Sequence, residues 1–394
     1  MQNSDTIDEA EVIIVGGGIM GISICYYLTK MGKKTILLEG SDLGSGASGA
    51  CDQNIFIQSK NDTEDINLAL KSKEIYENLA AELSQEDADI EYEQKGGLIL
   101  IEDEEDLEYM TQRVKSQKRA GLEVEILDRD KIFEIYPQIP SLSSHVIAAA
   151  YCHDDAHVNT FKYIFALARK IEEQGGKIYL HTPVKDIVCK NGEIIGVATS
   201  RGYFTAKNVV NACGPYAPCL SAKIQHELSI KPRKGQIVVT QPLPEIVRGG
   251  VLSTKYLTAK HHVKEEQEFE TDETDEDMNS KNKAQGLSFS QTKKGNLLIG
   301  ATREFVGYDT SVSREGLQRI LANAASIFPF LKKVDFIRAF SGLRPYSETG
   351  KPLIGKAGEL EGYYICAGHE GDGISMAPIT GKTMAELICG RLKT

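Results

Sequence analysis

The residue types best suited to chemistry in this 394-residue chain stand near its two ends. Gly16-Gly17-Gly18-Ile19-Met20-Gly21 sets glycines at 16, 18 and 21, and Glu39 follows 23 residues after Gly16. In such a turn the first glycine permits the tight bend, the second lets a pyrophosphate reach the backbone, and the third allows a helix to pack closely on a strand. The helical stretch that follows, Ile22 to Lys30, then offers unpaired N–H groups and a positive dipole to phosphate, with Ile19 and Met20 of the turn as candidate cofactor contacts. Glu39, with Gly40 behind it, can accept hydrogen bonds from ribose hydroxyls. Toward the C-terminus, Arg344 lies in Ser341-Gly342-Leu343-Arg344-Pro345-Tyr346, and its planar guanidinium can grip a carboxylate bidentately. Arg303 is a second candidate, with internal pairing to Glu304 or another acid an equal reading. Tyr256 and Tyr346 are candidate hydroxyls or ring walls, and simple packing explains either one.

The elements that must hold these residues are legible in the same sequence. Val12–Val15 is an apolar, β-branched run, as in a strand buried on both faces. A helical stretch follows to Lys30, then a second strand at Thr35–Leu38 that Glu39 closes. Strand, glycines, helix, strand and acid in that order form a dinucleotide-binding unit, which serves nicotinamide and flavin alike. Ser41–Ala50 is a loop of small residues whose backbone can lie against a ligand. From Lys177 to Gly214 apolar and polar residues alternate around Asn191-Gly192 and Arg201-Gly202, two hairpin turns. The last run of that segment is an apolar strand ending on small residues. Helices are expected over Ile66–Leu83 and Glu104–Ala120, and strands at Ile237–Thr240 and Leu297–Ile299.

Composition narrows the function. The formal charge of −11 opposes a nucleic-acid surface, which needs a basic stripe. Much of it is local, since Lys264–Asp277 holds nine acids and one lysine. Residues 261–285 are therefore expected to form an exposed acidic loop. The 8 cysteines show no CxxC or zinc spacing and suggest free thiols in a reducing compartment. No apolar stretch is long enough to span a bilayer, and a cytoplasmic protein is expected. His153-Asp154-Asp155-Ala156-His157 has metal-capable side chains, but a polar turn is the preferred reading and no metal is expected.

These segments together resemble the D-amino-acid oxidase superfamily of FAD-dependent oxidoreductases. The resemblance runs through both ends and the middle of the chain. Its closing pattern is the arginine-proline turn at 344, the Gly350–Gly355 strand, and the loop His369–Pro378 entering a last helix. It implies FAD as cofactor. Ser45, Gly46, Ala47 and Ser48 would cover the pyrophosphate and ribityl chain. Val184 would meet the adenine, and Ala212 and Gly214 would approach closely, with Cys213 where alanine is more usual. Gly371, Asp372, Gly373, Ile374 and Ser375 would touch the isoalloxazine ring, with Gly342 and Arg344 beside it. The implied fold is α/β (α+β): a Rossmann-like FAD-binding domain (1–60, 150–220, 335–394) interleaved with a substrate domain on an antiparallel sheet (61–149, 221–334).

The implied reaction is hydride transfer to flavin N5 from the carbon beside an amine nitrogen. Arg344 would hold the substrate carboxylate, and no general base is assigned, His369 being read as shaping its loop. Cys51 is read as a small buried thiol. The segments CDQNIFIQSK and GNLLIGATREFVGYD look most like the amino-acid dehydrogenase branch, whose members work beside partner electron-transfer subunits. A small amino or imino acid is the expected substrate, proline or hydroxyproline first, glycine or sarcosine second. Oxidation of a 2-hydroxy acid or glycerol phosphate is an alternative on the same fold. So is a non-catalytic electron-relay subunit.

Overall fold

The computed structural model describes residues 6–261 and 286–392, so the acidic stretch expected at 261–285 lies, apart from His261, outside the described residues. Strand β1 (Val12–Val15) is fully buried, and helix α1 (Ile19–Lys30) leaves it through the glycine turn. Strand β2 (Thr35–Leu38) pairs parallel with β1 on one side, and β3 (Asn208–Asn211) pairs parallel on the other. The sheet has six strands, in the order 353–356, 363–367, β3, β1, β2, 177–179, antiparallel only at its first pair. Its Val, Ile and Leu side chains are buried because helices cover it, as a parallel sheet requires. Before β3 the chain makes the expected meander, 184–190, 193–199 and 203–205. Asn191 and Gly192 both take positive φ (53° and 82°), as a two-residue hairpin turn demands.

The second large layer has eight strands. Its first four, in spatial order, are β7 (Phe336–Ser347), β4 (Ile230–Pro242), β6 (Asn296–Gly300) and β5 (Ser288–Gln291). Beyond β5 come 250–253, 97–101, 148–152 and 124–128, antiparallel except where 250–253 meets 97–101. Strand β7, expected with the nucleotide-binding segments from residue 335 on, hydrogen-bonds into this sheet instead, along β4 from Ile230↔Ser347 to Thr240↔Phe336. Residues 148–152 likewise join it beside 97–101. The two layers therefore meet along β7 and the small-residue loop, where Gly342 makes room for Ala50: any side chain at 342 would collide with the Ala50 Cβ.

Helices Thr63–Ser84, Glu104–Arg119 and Thr160–Glu173 are each capped by a side chain, from Asp62, Asp103 and Asn159. The closing helix α2 (Gly373–Ile388) packs on α1 and on Thr63–Ser84, burying Met376, Ala377 and Met384. It carries Pro378 in its interior. Tyr76 donates to the Ile374 carbonyl at 2.7 Å and so ties Thr63–Ser84 to the first turn of α2.

Candidate active site

A cavity of about 670 Å³ runs from the glycine turn to the face of β4 and β6, within the usual range for a cofactor or ligand cleft. At its nucleotide end Gly16 holds φ +114°, and a Cβ there would stand 2.5 Å from the Ala212 carbonyl oxygen. The turn is closed by the backbone of β3, so only glycine fits. Helix α1 begins after Gly18 with no side-chain cap. Ser48 Oγ accepts the Ile19 N–H at 2.9 Å, and both Glu39 oxygens accept backbone N–H groups, from Gly17 at 2.6 Å and Ser41 at 2.8 Å. Glu39 is thus oriented on the cavity wall by the loop around it. A helix start whose N-cap residue is glycine, behind a turn stripped of side chains, is a cradle for phosphate, and it fits a dinucleotide. Gly18, Ile19, Met20, Gly40, Ser45, Gly46, Ala47, Val184, Ala212 and Gly214 line the same wall.

At the other end the wall is made by Gly371, Gly373 and Ile374, at the start of α2. That helix too has no side-chain cap, so its positive end faces the cavity. The carboxylate that could have capped it is engaged elsewhere. Asp372 Oδ1 accepts from Lys60 Nζ at 2.7 Å, and Ser375 Oγ lies 3.1 Å from the same ammonium. Lys60 is only 4% exposed and also donates to the Phe56 carbonyl at 3.0 Å. Burial pulls His369 down to about 4, so its ring is neutral, with Nε2 3.3 Å from Thr380 Oγ1. It shapes the loop and carries no charge.

Between these ends sits a group of guanidiniums. Arg344 projects from β7 and lines the cavity. Its head crosses β4 at Gly235, where a Cβ would lie 2.6 Å from Arg344 Cζ, and Nη1 donates to the Thr302 carbonyl at 3.2 Å. Arg233 and Arg303 lie behind it, 1% and 4% exposed. Both pair with a single carboxylate, Glu370. Burial first, and then the neighbouring Arg303 and Arg344, pull Arg233 well below the usual guanidinium range. Since a guanidinium keeps its proton in a protein, that repulsion is relieved by an anion. The cluster of three guanidiniums holds one carboxylate, paired with Arg233 and Arg303, which leaves an excess of two positive charges, and among the described residues Arg344 has no acidic partner.

Several expectations are refined by this geometry. Arg303 is committed to an internal pair, with Glu370 and not Glu304, and its Cζ stacks 4.4 Å from the Tyr256 ring centroid. Tyr256 itself is on the cavity wall. Tyr346 is buried behind the wall, where Arg233 lies over its ring. Gly21 is packed against the Gly16 carbonyl and Gly342 against Ala50, so neither is part of the wall. Asp372 and Ser375 are turned to Lys60 and are also off the wall. Cys51 donates to the Ser48 carbonyl at 3.0 Å, and burial pushes its thiol up to about 11. Asp155, in the histidine-rich turn, accepts from the Ile57 N–H at 2.7 Å and holds the turn that carries Lys60. Arg233, Gly235, Lys60, Glu370 and Asp52 were not singled out from the sequence. A cation inside a strand, in Pro232-Arg233-Lys234-Gly235, was the one available signal for the first two.

A dinucleotide cradle opening onto a cationic recess under a second sheet is the architecture of a flavin-type oxidoreductase. The family signature "FAD dependent oxidoreductase" (DAO) matches residues 11–387, and the chain belongs to this family. Over 385 residues it is 30% identical to a glycine oxidase of Geobacillus kaustophilus (strain HTA426), covering 96% of this chain and 92% of that protein. L-proline dehydrogenase from P. horikoshii superposes with a TM-score of 0.85 at 28% identity, covering 98% of this chain and 95% of that one. Glycine oxidase from Bacillus cereus ATCC 14579 does so at 0.83 and 28%, over 98% and 96%. The protein is an FAD-dependent oxidoreductase. No helix among the described residues is long and apolar enough to cross a membrane.

Proposed function

We propose that the chain oxidises the C–N bond of a small amino or imino acid, with a proline-like secondary amine as the leading substrate. The observation that carries this reading is Arg344: a guanidinium on the cavity wall, in a cluster with excess positive charge and no acidic partner of its own among the described residues. A substrate carboxylate satisfies it bidentately and fixes the α-carbon. Gly16, Gly18, Ser48 and the start of α1 would hold the FAD pyrophosphate, Glu39 the adenosine ribose, Val184 the adenine, and Gly371–Ile374 the ring. When bound, that flavin supplies a hydride acceptor at N5.

The chain's own residues do the rest. The start of α2 aims its dipole at the ring end of the cavity, where negative charge must be stabilised during the reaction. Lys60 anchors the first turn of that helix through Asp372 and Ser375. Tyr256 walls the recess beside Arg344. The substrate amine gives up its proton to solvent before hydride leaves, and no general base is assigned among the described residues. The 30% identity to a glycine oxidase favours glycine or sarcosine as the second reading. The test is anaerobic bleaching of the visible flavin band of the purified holoprotein by L- and D-proline, hydroxyproline, sarcosine, glycine and 2-hydroxy acids. Bleaching by an amine supports the reading and names the substrate. Bleaching by hydroxy acids alone, or by none, overturns it. Admitting air then separates oxygen from another electron acceptor, including a partner subunit.

A further inference from the structure

We infer that Asp52 is the second substrate anchor, a carboxylate that binds the substrate's ammonium opposite Arg344 and makes the site selective for zwitterions. This rests on the amino-acid reading of the same cavity. Asp52 lines the cavity together with Ala50, Tyr256, Ile237, Ala301 and Arg344. Its surroundings hold it in one place: Ser288 donates to its Oδ2, Ser290 Oγ donates to its carbonyl at 2.8 Å, and both serines are buried on one face of β5. Neither contact is an ion pair, and among the described residues no lysine or arginine neutralises Asp52.

The register brings the two opposite charges to the same end of the cavity. The Arg344 head sits at Thr302, two residues past Gly300, and Gly300 pairs with Ser288 under Asp52. Asp52 and the Arg344 head are thus brought together from different elements onto one stretch of the cavity wall. There an α-amino acid can make a charge-assisted hydrogen bond at each end, its carboxylate to Arg344 and its ammonium to Asp52. Tyr256 lines the same cavity, its backbone packed against Gly286, where no side chain would fit. The loop reaches the same end of the cavity because Gly342, two residues before Arg344, accommodates Ala50, two residues before Asp52.

The inference is tested by Asp52→Asn, which keeps an oxygen for Ser288 and removes the charge. The flavin spectrum of the holoprotein is titrated anaerobically with the amino acid that bleaches the wild type, and separately with propionate, which has a carboxylate and no amine. The expected result is a loss of roughly tenfold to a hundredfold in amino-acid affinity, read as KM with kcat less affected, while propionate binds as well as before or better. Equal loss for both ligands would show a merely structural role and overturn the inference. So would unchanged preference for the amine-bearing ligand. Asp52→Glu keeping part of the affinity that Asp52→Asn loses would support it. If no amino acid perturbs or bleaches the wild-type flavin, the amino-acid reading itself fails, which separates the two failures.

Discussion

Gly235→Ala is the most incisive perturbation of this site, because one methyl group strikes the substrate anchor and little else. Gly235 has ordinary strand geometry, so alanine carries no φ penalty, and the three atoms nearest its new Cβ belong to the Arg344 guanidinium. The Cβ would stand 2.6 Å from Cζ, against a normal contact of about 3.5 Å, so the head must retreat by about 1 Å. That movement breaks the bond to the Thr302 carbonyl and spoils bidentate geometry toward a carboxylate. Losing a charge-assisted pair costs about 1.5–3 kcal/mol, or roughly tenfold to a hundredfold in carboxylate affinity. A misplacement of about 1 Å at a positioning group has effects of the same order on turnover. The assay is titration of the holoprotein with propionate, followed by kcat/KM for the amine that bleaches the wild type, with thermal unfolding alongside. The expected result is a large rise in both dissociation constant and KM with Tm nearly unchanged. Wild-type affinity for both ligands in a folded Gly235→Ala protein would show that Arg344 does not anchor the substrate and would refute the reasoning.

Lys60→Met removes a buried ammonium from Asp372, Ser375 and the Phe56 carbonyl, with an expected loss of about 3 kcal/mol of stability by denaturant unfolding. It should also lower the reduction potential of the bound flavin, since a buried positive charge is lost near the ring end of the cavity. Glu370→Gln leaves the guanidinium cluster without its carboxylate, with an expected destabilisation of about 3–5 kcal/mol at low salt; added propionate should recover part of it. Burial holds the Asp155 carboxyl up at about 7, against 3.8 for an ordinary aspartate. An acid raised in the folded state stays protonated there while the unfolded chain ionises. Its contribution is therefore full below about pH 4 and is lost as pH rises toward about 7, by at most about 4 kcal/mol. Asp155→Asn should flatten that part of the stability–pH curve, and an unchanged slope would show that Asp155 is ionised in the folded protein.

What the sequence determined by itself is local. The turn from Val15 to Ile19, Glu39 at the end of β2 and the hairpin at Asn191-Gly192 each lie within one short supersecondary unit. There the residue types dictate the backbone: glycine where φ is positive or another chain passes, β-branched runs where both faces are buried. The cradle wall from Gly16 to Ser48 was legible for the same reason, whereas Arg344-Pro345, read from the sequence as a turn, lies inside strand β7, paired with Arg233 and Pro232 of β4. The tertiary structure alone decided which charges meet. Glu370 takes Arg233 and Arg303 and leaves Arg344 exposed to the cavity, a choice made by burial on three different segments. Lys60 finds Asp372 across 312 residues, and Ser288 finds Asp52 across 236. Strand β7 pairs with β4, so the residue facing Arg344 is set by register, and Gly235 clears the path of its head. Such contacts leave no periodicity in the chain, because they arise from the packing of two sheets that the sequence threads alternately.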